Sequence, residues 1–98
     1  MARYLALWEG DNSRMPIDPK ERASGFKAAL DKIKADMKKG LIKDWGSFVG
    51  VPNGFAIYEG TEVEVEKSVQ QYAPFYTFKV YPLSSLAQTE ELIKALSK

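Results

Sequence analysis

The segment LIKDWGSFVGVPNGFAIYE, residues 41–59, decides the fold. Leu41 to Val49 and Gly54 to Glu59 are two apolar, β-prone runs, and Gly50-Val51-Pro52-Asn53-Gly54 lies between them. Proline at the second corner, asparagine next and glycine after it make this a turn, so the two runs predict a β-hairpin. A helical pattern precedes the hairpin and another follows it. Beyond these lie two further apolar runs, Arg3 to Trp8 and Phe75 to Tyr81. The order is therefore strand, helix, strand, strand, helix, strand.

The first helix opens at Asp18-Pro19-Lys20-Glu21, a capping-box arrangement with Asp in the place of Ser or Thr. Ala23, Phe26, Leu30, Ile33 and Met37 recur at spacings of three and four and make one apolar stripe. Gly40 ends the helix after Lys38 and Lys39. Ser24-Gly25 interrupts it, at a point suited to a close backbone approach or a slight bend. The lysines, interrupted by Asp31 and Asp36, read as a solvated face. Thr61-Glu62-Val63-Glu64 is a second capping box, opening a short helix with Val65, Val69 and Tyr72 on its apolar side. Ala73-Pro74 stops that helix, and Pro82 closes the last strand. Ser85 to Gln88 caps a final helix with Leu86, Ile93 and Leu96 on one side.

This order predicts an α+β fold of ferredoxin-like βαββαβ type over residues 1–98, as a single domain with an extra C-terminal helix. Right-handed crossovers give a four-stranded antiparallel sheet of order 4-1-3-2 with two helices on one face. The other face is left without cover. Both phases of the first and last strands carry large apolar groups, Leu5 and Leu7 against Tyr4, Ala6 and Trp8 in the first. An exposed apolar face of several hundred Å2 is more than a monomer usually shows. A homodimer packed sheet to sheet is the expectation, and a C-terminal helix folded over the same face is the alternative.

Composition narrows the chemistry. The chain has no cysteine and no histidine, which excludes disulfides, thiolate zinc sites, cysteine nucleophiles and imidazole bases. A net charge of +1 argues against nucleic acid as the main partner. No window approaches the length of an apolar membrane span, no targeting segment is visible, and the absent cysteines fit a cytoplasmic location. No metal or cofactor pattern is present, and Gly10 stands alone rather than in a phosphate-binding loop.

Within residues 41–83, Gly54 to Glu59, then Tyr72-Ala73-Pro74-Phe75, then Phe78 to Leu83 resemble a family of short prokaryotic proteins of unassigned activity. That family is similar to the dimeric α+β barrel superfamily, which also holds muconolactone isomerases, antibiotic-biosynthesis monooxygenases and YCII-related proteins. The resemblance implies a sheet-to-sheet dimer and no particular activity. The His and Asp pair associated with YCII-type proteins does not carry over, because this chain has no histidine.

The candidate site residues follow. Trp8, Trp45, Tyr58, Tyr76 and Tyr81 can line an aromatic pocket or serve as core and interface packing. Glu59 at the end of the third strand and Asp44 beside Trp45 are the candidate carboxylate bases. Arg14, in the polar loop after the first strand, is positioned to hold an anionic substrate. The leading expectation is a small molecule, partly apolar, bound in an aromatic-lined cleft. A cofactor-free isomerase or monooxygenase-like enzyme is the alternative, and an interaction module without a pocket is the third reading.

Overall fold

A computed structural model describes residues 2–98. The strands are β1 (Arg3–Gly10), β2 (Ile42–Ser47), β3 (Asn53–Glu59) and β4 (Tyr76–Leu83). The helices are α1 (Pro19–Lys38), α2 (Glu62–Gln70) and α3 (Leu86–Leu96), and a 3-10 turn covers Asn12–Arg14. The chain is α+β, with an antiparallel four-stranded sheet of order β2-β3-β1-β4. Read from its other edge, that order is 4-1-3-2.

Local chemistry explains the boundaries. Thr61 and Glu64 form the capping box reciprocally: Thr61 Oγ1 accepts from Glu64 N at 3.2 Å, and Glu64 Oε1 accepts from Thr61 N at 2.9 Å. Ser85 and Gln88 do the same for α3. Asp18 stands at the N-cap of α1 with Pro19 beside it, but its side chain makes no capping hydrogen bond. Asp18 and Glu21 are both exposed, so this end of the helix is open to solvent. At the other end of α1, Gly40 adopts φ +82°. Its N–H donates to the Met37 carbonyl and that of Leu41 to the Asp36 carbonyl, a Schellman closure. Gly25 faces open space rather than a neighbouring backbone. β4 runs through Pro82 to Leu83 instead of stopping at the proline. It is an edge strand, so the missing N–H is not needed for pairing.

The core lies on one sheet face. Tyr4, Ala6, Ala56, Tyr58 and Ile42 from the sheet meet Ile33 of α1, Val65 of α2 and Tyr72. The opposite face carries Leu5, Leu7, Phe55, Ile57, Tyr81 and Leu83, with no helix over it. Leu7, Tyr81 and Leu83 remain at least a third exposed. α3 buries none of its side chains, so it does not cover that face. The molecule extends 61 × 26 × 20 Å, and its surface of 7265 Å2 exceeds the about 5,600 Å2 of a compact monomer of this mass. Among the described residues no helix is long and apolar enough to cross a membrane.

Candidate functional site: an aromatic cleft between sheet and first helix

Only Ile33 of the α1 stripe is buried. Ile33, in the C-terminal half, is buried against the sheet, whereas Phe26 and Leu30, nearer the start, are about two-fifths exposed. Between this end of α1 and the sheet lies a half-open cleft of about 800 Å3, within the range of small-molecule sites.

Ala56 of β3 forms part of its floor. Ala6 pairs with Ala56 and Trp8 with Gly54 across β1 and β3. A side chain at Gly54 would collide with the Trp8 ring and the Gly46 carbonyl, so the glycine is what lets the indole lie flat over β3. Trp8 stacks on Trp45 with centroids 5.6 Å apart and planes 6° from parallel. Tyr76 meets Trp8 edge-on at 5.8 Å, and Tyr72 meets both Tyr76 and Phe78. The Trp8 Nε1–H donates to the Phe55 carbonyl at 3.3 Å. These five rings form a continuous aromatic wall.

A β-bulge completes the wall. Ile42 pairs with Tyr58 and Asp44 with Ile57, which leaves Lys43 as the extra residue. Ile42 and Trp45, three apart, therefore face the same side. Asp44 faces the opposite side, where its Oδ1 accepts from Trp45 N.

Trp8, Trp45, Tyr58 and Tyr76, which sequence reasoning singled out, all line the cleft. Tyr81 lies on the other sheet face. Asp44 and Glu59 also lie on that other face, so neither candidate base is in the cleft. Arg14 is outside the cleft as well: its Nε pairs with Asp11 Oδ2 at 3.2 Å. Asp11 is the N-cap of the 3-10 turn, and the Ser13 hydroxyl holds its carboxyl below the usual range. The one charged residue that lines the cleft among the described residues is Arg22, in the first turn of α1. Among the described residues no carboxylate lines it.

A polar chain lies behind the inner end. Ser68 Oγ donates to Asp36 Oδ2 at 2.6 Å, and the Tyr58 hydroxyl lies 2.9 Å from Ser68 Oγ. Ser68 has a single proton and gives it to Asp36, so Tyr58 is the donor to Ser68. Asp36 is only 4% exposed, with Lys39 Nζ at 4.0 Å from Oδ1 and Gln71 Nε2 at 3.4 Å from Oδ2. The solvated face expected along α1 therefore fails at Asp36, which turns inward. Burial pushes the Tyr58 hydroxyl above its ordinary pKa, and the nearby Asp36 carboxylate adds to the effect. Burial also raises Tyr72 strongly, with Tyr58 and Asp36 adding to the effect. The Tyr72 hydroxyl is buried and has no hydrogen-bond partner among the described residues.

Sequence reasoning missed Arg22, Tyr72 and Phe78. The signal for Tyr72 was its place after Val65 and Val69 on the α2 stripe; for Arg22 it was only the position one turn before Phe26. No protein-family model matches the chain, and no curated protein matches it in sequence.

Proposed function

We propose that this chain binds a small, largely apolar molecule in the cleft between α1 and the sheet. The observation that carries the reading is an aromatic wall of Trp8, Trp45, Tyr72, Tyr76 and Phe78 beside a half-open volume with no carboxylate in its lining. Binding is favoured over acid-base catalysis because Asp36 is separated from the cleft by Ser68 and Tyr58, and Asp44 and Glu59 face away. An interaction module with a filled interior is disfavoured by the cleft itself.

The chain further acts as a homodimer of ferredoxin-like subunits, of the dimeric α+β barrel kind, joined through the uncovered sheet face. The strand order, the apolar residues on that face and the surface in excess of a compact monomer support this reading. The cleft is on the other side of the sheet, so the dimer leaves it open.

A thermal-shift screen against aromatic acids, lactones, quinones and short apolar alcohols tests the binding role. A ligand at a hundred times its Kd raises stability by about 2.7 kcal/mol, a rise in Tm of roughly 10 °C at this size. No shift from any of these classes would overturn the reading.

A further inference from the structure

Resting on the binding role proposed above, we infer that the ligand is a multi-ring aromatic carboxylate, held by Arg22 at the mouth of the cleft with its rings along the Trp8–Trp45 wall. The cleft carries its charged side chain and its amide at one end only. Asn12 follows β1 and Ser47 ends β2, and antiparallel pairing with β3 gathers both near the start of β3; α1 leads back to the start of β2 through Gly40, so its first turn, with Arg22, lies toward the opposite end of β2 and lines the same cleft. Ile33, Ile42 and Tyr58 line the other end. A ligand that follows this lining has one polar head and an apolar body.

The sign of the head follows from Arg22. It is the sole charged side chain in the lining, and no ion pair neutralises it among the described residues, whereas Arg14, Lys27 and Lys39 each face an aspartate. A guanidinium presents a planar fork of donors that matches a carboxylate two bonds at a time. The amide of Asn12 and the hydroxyl of Ser47 supply further donors at the same end.

The shape of the body follows from the wall and the floor. Ala56 and Tyr58 line the floor, the Trp8 ring covers Gly54 beside them, and the cleft encloses about 800 Å3. A single ring leaves much of that volume unfilled, while two or three rings occupy more of it. The stacked indoles and the rings of Tyr72, Tyr76 and Phe78 offer the cleft aromatic faces and edges, which suit rings better than a flexible chain.

Isothermal titration calorimetry with 2-naphthoate and with the neutral 2-naphthylmethanol tests the inference on the full chain. Wild type is expected to bind the carboxylate about ten-fold more tightly than the alcohol, as a charge-assisted hydrogen bond requires. Arg22→Gln is expected to remove that preference and leave the affinity for the alcohol unchanged. Arg14→Gln makes the same change of charge outside the cleft and is expected to keep the preference. Equal binding of the two probes by wild type, or an equal loss in both variants, would overturn the anionic head while the apolar cleft stands. Failure of both probes to bind would overturn the cleft reading and this inference with it. Arg22 is exposed, so its replacement leaves folding intact.

Discussion

Ser68 is a single hydroxyl between two buried partners, and its removal isolates both. Ser68→Ala leaves a lone pair of Asp36 and the Tyr58 hydroxyl without their hydrogen bonds. Such a loss costs about 2 kcal/mol, a fall in Tm on the order of 10 °C by calorimetry. A change under a degree would show that water replaces the hydroxyl. Gly54→Ala acts at the cleft instead. The new methyl displaces Trp8 from β3, so the circular-dichroism couplet of the stacked indoles is expected to collapse. The tyrosines set the alkaline limit. Tyr58, Tyr72 and Tyr76 are raised by burial when folded, while the unfolded chain ionises near the ordinary value of about 10. Their contribution is full below that value and is lost as pH rises through the raised folded pKa values. Stability measured by urea unfolding is therefore expected to fall above about pH 10, with tyrosinate absorbance from these three appearing only with unfolding.

The elements divide between support and site, and α1 does both. Its apolar spacing predicts one continuous buried stripe, yet only Ile33 of that stripe is buried. The periodicity specifies which side chains share a face, not how closely the helix axis approaches the sheet. Ile33→Ala is expected to cost about 3 kcal/mol in urea unfolding, the usual range for a buried aliphatic. Phe26→Ala, at 39% exposure, is expected to cost under about 1 kcal/mol and to weaken ligand binding instead. Equal losses of stability would place Phe26 in the core and remove it from the site. In β2, alternation places Asp44 and Ile42 on one face. The bulge at Lys43 reverses this, and no turn or glycine signal in the sequence announces it.

At the scale of the molecule, the two sheet faces have separate tasks. The helix face holds the cleft, and the other leaves Leu7, Tyr81 and Leu83 in contact with solvent. Light scattering at micromolar concentration is expected to give twice 11 kDa. Leu7→Glu, in the centre of the open face, is expected to give the monomer, since a buried carboxylate pair across an interface is strongly unfavourable. A wild-type mass of 11 kDa would remove the dimer. The apolar side of α3 is a further unpartnered surface among the described residues, with Leu86 and Leu96 more than three-quarters exposed.

Residue type and spacing alone determined the element order, the hairpin, the two capping boxes at Thr61 and Ser85, and the helix stop at Gly40. Each is a local matter: the backbone groups that need partners lie within a few residues of the side chains that satisfy them. The absence of histidine and cysteine likewise bounded the chemistry before any fold was known, and the aromatic residues Trp8, Trp45, Tyr58 and Tyr76 were legible as a set. Only the tertiary structure decided which sheet face each polar residue joins. It put Asp44 and Glu59 away from the cleft, buried Asp36 behind Tyr58, bound Arg14 to Asp11, and left Arg22 as the charge at the mouth. These placements depend on one bulge and on the splay of one helix. Both are set by packing between residues far apart in the chain, which period and propensity do not encode.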